Sequence, residues 1–266
     1  MRSLLLAFST YSRIPVPRVK WDEKSNRYAL CFFPFVGAVI GALELLLFAV
    51  AWKLALVPTL TAALCTILPL SVTGGIHMDG YLDVTDAKSS WKDREEKLKI
   101  LKDPHVGAFA VIAACVYFLA YFGLTEAAIS YGASYAFFGF YGIGRYQVVF
   151  ALSFMYERVL SGLSVVTLRL AKSDGMAAEE ARTDAGRVRI ILLFELVLCV
   201  LLFAVVDVFY GELAMVVGLL SFARYRHVAY KYFGGITGDL AGWFLQGTEI
   251  AILFTLVFSE RLMTLF

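Results

Sequence analysis

Three aspartates at helical spacing are the residues of this chain best suited to chemistry. On a helix that turns about 100° per residue, Asp79, Asp83 and Asp86 fall within a stripe about 60° wide. Like charges this close destabilise a helix unless a cation lies among them. Carboxylate oxygens favour Mg²⁺ or Mn²⁺, and protein-bound Mg²⁺ is usually shared with substrate phosphates. The stripe therefore predicts a divalent-metal site for a phosphorylated substrate, with a solvated acidic helix face as the alternative interpretation.

A glycine-rich segment, Phe233-Gly234-Gly235-Ile236-Thr237-Gly238-Asp239, precedes the last apolar run. Glycines that lead into a helix N-terminus offer backbone N–H groups and the positive end of the helix dipole to an anion. A turn with Asp239 as the N-cap residue is the alternative interpretation. Several basic side chains come just before the segment: Arg224, Arg226, His227 and Lys231.

Single residues near the stripe are weaker candidates. His77 could bind a phosphate or lie at the membrane interface with its hydrogen bonds satisfied. Arg94 and Lys102 belong to a mixed-charge run that is typical of an exposed helix face, with i,i+4 pairs such as Asp93 with Lys97. One or two of these basic residues could still bind phosphate.

Glu249 and Arg145 are among the charged residues that fall within apolar runs. A charge in the bilayer core is costly unless it faces the bundle interior, a cavity or a partner. We therefore expect Glu249 to face the interior and Arg145 to face a cavity or a carboxylate. Three carboxylates remain open as partners of Arg145: Glu44, Glu126 and Glu195.

The elements that must position these residues are apolar. Of the 266 residues 60% are apolar and 17% are charged, against about 45–50% and about 25% in a typical soluble domain. That leaves too few polar side chains to cover a soluble globule, so we expect a lipid bilayer as the environment rather than a monomeric cytosolic enzyme. A net charge of +2 offers no basic field, and no nucleic-acid partner is expected.

The apolar runs predict an all-α, polytopic membrane helix bundle. A membrane-spanning helix needs about 20 apolar residues. We predict about seven spans, or six if the short sixth run does not cross the bilayer. The predicted spans are Tyr28–Ala51, Val57–Thr73, Ala108–Ser130, Ala133–Phe154, Ile190–Val208, Leu213–Ala223 and Leu240–Phe258.

Basic residues collect in four polar segments, 1–27, 77–106, 157–189 and 224–239, which hold 21 of the 24 Lys and Arg residues. Seven spans place all four segments on one side, and the positive-inside rule assigns that side to the cytoplasm. We expect a single domain over residues 1–266 in the cell membrane, with its N-terminus and its active site facing the cytoplasm.

The string Thr73-Gly74-Gly75-x-His77-x-Asp79-Gly80-x-x-Asp83-x-x-Asp86 resembles the signature of the cobalamin synthase family, the adenosylcobinamide-GDP ribazoletransferases of coenzyme B12 assembly. The similarity continues through Ile14-Pro15-Val16-Pro17, Phe33-Pro34, Ile100-Leu101-Lys102-Asp103 and the glycine-rich segment. Several motifs in the same order make this resemblance specific. Four residues depart from the usual family pattern: Tyr81, Ala87, Pro104 and Ala108.

The resemblance implies a Mg²⁺-dependent transfer at the membrane. A ribose hydroxyl of α-ribazole, or of α-ribazole 5′-phosphate, would attack the cobinamide-side phosphorus of adenosylcobinamide-GDP. The products would be GMP and adenosylcobalamin, or its 5′-phosphate. Such transfers depend on positioning and charge neutralisation more than on covalent help from the protein.

If the chain catalyses this reaction, Asp79, Asp83 and Asp86 would hold Mg²⁺, and Asp239 would add a ligand or orient the nucleophile. A carboxylate, with Asp86 preferred, or His77 would accept the hydroxyl proton. The positions that we predict to bind substrate are Thr73, Gly74, Gly75, Arg94, Lys102, Asp103, Arg145, Gly235, Thr237 and Gly238.

Two other classes of function remain open from the residues alone. A CDP-alcohol phosphotransferase or an intramembrane prenyltransferase would also use aspartates beside a metal-bound diphosphate. A transporter would instead line an ion path with the buried charges Glu44, Arg145 and Glu249. A homo-oligomer is compatible with each of these readings.

Overall fold

The computed structural model describes residues 2–17, 28–132, 136–137, 140–171, 184–263 and 265. Within them the chain forms ten α-helices: α1 (Arg2–Tyr11), α2 (Phe33–Lys53), α3 (Pro58–Thr73), α4 (Ile76–Ser89), α5 (Arg94–Ile100), α6 (Ala108–Gly132), α7 (Arg145–Thr167), α8 (Ala185–Val206), α9 (Val208–Val228) and α10 (Gly238–Met263). A 3-10 turn, Ala29–Phe32, leads into α2, and a π-helical turn, Ala229–Phe233, extends α9. A short antiparallel pair, β1 (Ala136–Phe137) with β2 (Phe140–Tyr141), precedes α7.

The number of membrane-crossing helices agrees with the sequence. In the described chain six helices, α2 and α6 to α10, are long and apolar enough to cross a membrane, and the bent pair α3–α4 makes up to seven. The predicted all-α bundle is therefore confirmed. The sixth run is longer than predicted, because α9 and its π-helical turn together cover Val208–Phe233. Some basic residues of the predicted polar segments lie outside the described residues: Arg18, Lys20, Lys24, Arg27, Lys172 and Arg182.

Helix α7 is the central helix of the bundle, since 94% of the residues in its apolar stretch are buried. Helix α2 packs on it through Gly37 and Gly41. A Cβ atom at either glycine would overlap the α7 backbone, at Phe154 and Ala151 respectively. Close contact through small residues four positions apart is typical of packed membrane helices.

The fourth predicted span is wrong in position. Helix α7 begins at Arg145 rather than at Ala133 and continues to Thr167. The predicted polar segment 157–189 therefore starts inside the bundle, where Glu157 and Arg158 are fully buried. The error arises because hydropathy treats both charges as exposed, whereas they pair with each other, with 2.6 Å between Arg158 Nη1 and Glu157 Oε1.

A sharp bend separates α3 from α4. Gly74 and Gly75 take left-handed φ values of 68° and 81°, which non-glycine residues adopt at a cost, and the two helices meet at 94°. Helix α3 has 16 residues, about 24 Å at 1.5 Å per residue, so it falls short of the hydrocarbon core of about 30 Å. Helix α4 is too short and too polar to span and turns aside at the end of the bundle.

Candidate active site

The three aspartates share one face of α4, as their spacing predicts. Asp79 is exposed, and Asp83 and Asp86 are half-buried. The opposite face packs into the bundle through His77, Met78, Gly80, Val84 and Ala87. Partial burial, followed by the charges of Asp79, Asp239 and Asp86, raises the pKa of Asp83 to about 6. The four carboxylates therefore form one electrostatic group of like charge.

The start of α10 brings Asp239 to this group. A Cβ atom at Gly80 would lie 2.7 Å from the carbonyl oxygen of Asp239, and a Cβ atom at Gly242 would lie 2.7 Å from the carbonyl oxygen of His77. These glycines let the two helix backbones pack closely. The Thr237 hydroxyl accepts the Leu240 N–H at 3.2 Å, so Thr237, rather than Asp239, caps the helix. The side chain of Asp239 remains 3.5 Å from the Thr237 hydroxyl.

The carboxylate of Asp86 is held by the beginning of α6. Its Oδ1 accepts the N–H of Ala110 at 3.2 Å. A Cβ atom at Gly107 would overlap the same carboxylate. One oxygen of Asp86 is thus committed to a helix N-terminus, which leaves Asp83 and Asp79 with more freedom toward a ligand.

His77 does not join the carboxylates. It lies about 160° around α4 from Asp79, and its buried ring packs edge-on against Phe33 with 5.7 Å between ring centroids. Among the described residues its Nδ1 has no hydrogen-bond partner. The structure therefore separates His77 from the helix face that carries the aspartates.

The predicted Thr73-Gly74-Gly75 positions form the bend between α3 and α4. The Thr73 hydroxyl donates to the carbonyl of Pro69 at 2.8 Å and accepts the Gly75 N–H at 3.3 Å. The side chain of Arg13 covers Gly74, where a Cβ atom would lie 2.5 Å from Arg13 Nε. Among the described atoms, none lies within 4 Å of a Cβ built at Gly75. Of the three positions, Gly75 is the one open to a ligand.

Most of the basic run after α4 is exposed as predicted, including Arg94 and Lys99, but Lys97 departs from that face. Lys97 is buried, and its ammonium donates to the carbonyl of Ala87 at 3.0 Å, to the Ser90 hydroxyl at 3.1 Å and to the Ser90 carbonyl. The predicted Asp93 to Lys97 pair is replaced by Lys92 with Glu96, 3.3 Å apart. Lys97 thus anchors the C-terminus of α4, where a cation is favourable.

Lys102 and Asp103 are exposed in the loop that follows α5. Asp103 Oδ1 lies 2.7 Å from His105 Nδ1 and accepts the His105 N–H at 2.9 Å, which lowers the pKa of Asp103. The loop reaches the carboxylate group at Gly107, against Asp86. Both residues therefore lie on a solvent-exposed approach to the site.

The glycine-rich segment is tightly packed along the chain that follows α7. The Gly235 N–H donates to the carbonyl of Ala229 at 3.1 Å, so the predicted anion-binding amide at this position is already used. A Cβ atom at Gly235 would overlap Leu170. At Gly238, by contrast, a Cβ atom would meet no described atom within 4 Å. The open part of the segment is its end at Gly238 and Asp239.

The predicted substrate-binding role of Arg145 conflicts with its position. Arg145 is the first residue of α7, its side chain is 66% exposed, and it pairs with Asp207 at 3.3 Å rather than with Glu44, Glu126 or Glu195. The 23 residues of α7 place it about 35 Å from the end that carries the aspartates. The correction follows from the late start of α7, which moves Arg145 out of the predicted span.

Two arginines were missed by reasoning from the sequence. Arg158 follows Glu157, so the two charges together suggested a polar segment. The apolar residues after Arg158 could have indicated that the helix continues. Arg169 lies beside the glycine-rich segment and donates from Nε to the Gly234 carbonyl at 3.0 Å. This contact joins positions 65 residues apart and has no local signal.

Fold and site together define a polytopic helical membrane protein with an acidic group at one end of its bundle and arginines on the neighbouring glycine-rich segment. Residues 3–257 match the family model described as Cobalamin-5-phosphate synthase. The chain belongs to this family.

Curated relatives cover nearly the whole chain. It is 42% identical over 98% of its length to an adenosylcobinamide-GDP ribazoletransferase from Lachnoclostridium phytofermentans, of which the match covers 95%. Relatives with the same name from Clostridium perfringens and Listeria monocytogenes are 33% and 31% identical. The match to the Clostridium perfringens protein covers 92% of this chain and 92% of that relative. The match to the Listeria monocytogenes protein covers 97% of this chain and 98% of that relative. No solved structure matches the chain.

Proposed function

We propose that this enzyme transfers the cobinamide phosphate of adenosylcobinamide-GDP to a ribose hydroxyl of α-ribazole or α-ribazole 5′-phosphate. The products are GMP and adenosylcobalamin or its 5′-phosphate. The names of the relatives support the reaction. The observation that carries it is the meeting of Asp79, Asp83 and Asp86 on α4 with Asp239 on α10, beside Arg94 and the glycine-rich segment.

Mg²⁺ suits the donor set at this site. Within the described residues, no three His, Cys, Asp or Glu side chains converge closely enough to enclose an ion by themselves. An open face of carboxylates matches Mg²⁺, which commonly keeps water ligands and shares substrate phosphate oxygens. Asp79 and Asp83 would be best placed to hold it, because Asp86 packs against Gly107 and accepts the Ala110 N–H. When bound, Mg²⁺ would neutralise charge on the diphosphate.

The remaining residues bind and orient. A ribose oxygen of α-ribazole forms a bond to the cobinamide-side phosphorus while the bond from that phosphorus to the bridging oxygen breaks. The electron pair leaves with GMP, and the hydroxyl proton passes to a carboxylate. Asp86, the acceptor preferred from the sequence, is less free for this role because it already accepts the Ala110 N–H. Asp239 orients the nucleophile from the opposite helix.

We infer the location of the enzyme from its charge distribution. The aspartates and the glycine-rich segment belong to two of the four predicted polar segments, which carry most of the basic residues, and the positive-inside rule would place these segments in the cytoplasm. Water-soluble substrates would reach the site there without crossing the cell membrane.

Incubation of membranes that contain the full chain with adenosylcobinamide-GDP and α-ribazole tests the proposal. We expect cobalamin and GMP in equal amounts with Mg²⁺ present, and far less of both from membranes with Asp83→Asn. Comparison of α-ribazole with its 5′-phosphate identifies the preferred acceptor. Transfer to a lipid alcohol instead would favour the CDP-alcohol phosphotransferase alternative, and substrate flux into proteoliposomes without turnover would favour a transporter.

A further inference from the structure

Arg169 is fixed beside the glycine-rich segment by backbone pairing. The Ile236 N–H donates to the Arg169 carbonyl at 2.9 Å, and the Ala171 N–H donates to the Ile236 carbonyl at 2.9 Å. Leu170 and Ile236 form a parallel bridge between these two bonds. The Arg169 N–H also donates to the Tyr230 hydroxyl at 3.1 Å. The backbone position of Arg169 is therefore set by hydrogen bonds that do not involve its side chain.

The side chains of Arg94 and Arg169 converge on consecutive carbonyls of the segment. Arg94 Nε donates to the Phe233 carbonyl at 2.8 Å, and Arg169 Nε donates to the Gly234 carbonyl at 3.0 Å. Gly234 has a φ of 74°, and a Cβ atom there would overlap the Arg94 guanidinium. Glycine at this position thus makes room for the guanidinium as well as for the turn.

Both guanidinium groups keep binding capacity after these contacts. Each uses Nε on the backbone, so its two terminal nitrogens remain for a ligand. Within the described part of the chain, neither arginine forms an ion pair with Asp or Glu. Two cations held on consecutive carbonyls repel each other, and an anion with several oxygens would relieve that repulsion.

The sequence separation between Gly234 and Asp239 limits how far the two arginines can lie from the aspartates. Five residues lead from Gly234 to Asp239, which limits the separation of their backbones to about 18 Å. The planar guanidinium fork matches phosphate oxygens in bidentate geometry. We propose that Arg169, together with Arg94, forms a diphosphate-binding pair that takes the phosphates of the nucleotide substrate. This inference rests on the proposed function for the identity of that substrate.

Binding of inorganic pyrophosphate to the full chain in lipid nanodiscs, with a metal chelator present, tests the pair directly. We expect Arg169→Gln to weaken binding about 10- to 100-fold, the usual value of a charge-assisted contact. Arg94→Gln should weaken it similarly and provides a second variant if Arg169→Gln does not fold. Arg226→Gln is the matched control, because Arg226 and Arg169 lie over the same Tyr230 ring, at 5.6 and 5.5 Å from its centroid.

Steady-state kinetics of the Arg169 variants distinguish a role in substrate binding from a purely structural role. Arg169→Gln should raise KM for adenosylcobinamide-GDP, leave KM for α-ribazole unchanged, and recover only in part as Arg169→Lys, which keeps the charge without the fork. Unchanged pyrophosphate binding in Arg169→Gln, or equal weakening in Arg226→Gln, would overturn the inference. Because pyrophosphate binding needs no turnover, failure of the transfer reaction alone would count against the proposed function and not against the arginine pair.

Discussion

Arg158 of α7 and Glu249 of α10 form an ion pair in the interior of the bundle, with 3.6 Å between Nη2 and Oε1 and 1% exposure of each side chain. Glu249 Oε2 also accepts the Tyr117 hydroxyl of α6 at 3.3 Å and the Gln246 amide at 3.0 Å. The cluster therefore links three helices. Asp239 lies ten residues before Glu249 on the same helix, about 15 Å away along its axis, so the cluster fixes the helix that carries it to the site.

Removing Arg158 should destabilise the protein strongly. Arg158→Met leaves Glu157 and Glu249 buried without their cation, and loss of one partner from a buried pair typically costs about 3–5 kcal/mol. Arg145→Gln is the matched control, because it breaks an exposed pair worth about 1 kcal/mol or less. Unfolding of both variants in detergent checks the difference. Equal stability of the two variants would contradict the structural role of the buried cluster.

Asp83→Asn should lower the transfer rate on the order of 100-fold or more. The substitution keeps the size of the side chain but removes one negative charge from the group that faces the substrate, and loss of one preorganised stabilising group costs about this much. Glu95→Gln removes an exposed carboxylate from α5 and should leave the rate unchanged. Steady-state release of GMP measures both. A fully active Asp83→Asn enzyme would rule out the proposed metal site.

Gly80→Ala should impair the site without removing any functional group. The added methyl would lie 2.7 Å from the Asp239 carbonyl oxygen and must push α4 and α10 apart. Overpacking of this kind costs about 1–3 kcal/mol, and we expect the transfer rate to fall with it. Gly123→Ala in α6, where a Cβ meets no described atom within 4 Å, is the control. If Gly80→Ala has wild-type stability and rate, close packing of the two helices is not required.

Chelation of divalent metal should abolish transfer and leave the protein folded. The carboxylates do not enclose an ion by themselves, so we expect Mg²⁺ to exchange readily and its addition to restore GMP release. Mn²⁺ should substitute, since it accepts the same oxygen ligands, and Ca²⁺ should do so poorly because it prefers more ligands at longer distances. Full activity after chelation would exclude a metal-dependent reaction.

Much of the candidate site could be predicted because its signal is local. The 4- and 3-residue spacing of Asp79, Asp83 and Asp86 places them on one helix face wherever that helix lies. The bend before them follows from Gly74 and Gly75, which tolerate left-handed φ. For His77, in the same motif, spacing alone could not decide whether the side chain faces the site or the bundle interior. Which face of α4 is buried depends on the helices packed against it.

The sequence by itself determined that this is a helical membrane protein, since about 20 consecutive apolar residues are stable as a helix in a bilayer wherever they occur. It also determined the family, through several motifs in order. Only the tertiary structure decided which charges are buried. Arg145 and Arg158 exchange their expected environments, because a buried arginine depends on partners from other helices.

The arginine pair was likewise decided by tertiary structure alone. Arg94 and Arg169 reach the glycine-rich segment across 139 and 65 residues of chain. Helical or strand periodicity in the sequence cannot predict contacts between residues so far apart in the chain. The segment contacts both arginines only after the helices have packed. Local periodicity placed the carboxylates on one helix face, and long-range packing brought the two arginines to the glycine-rich segment.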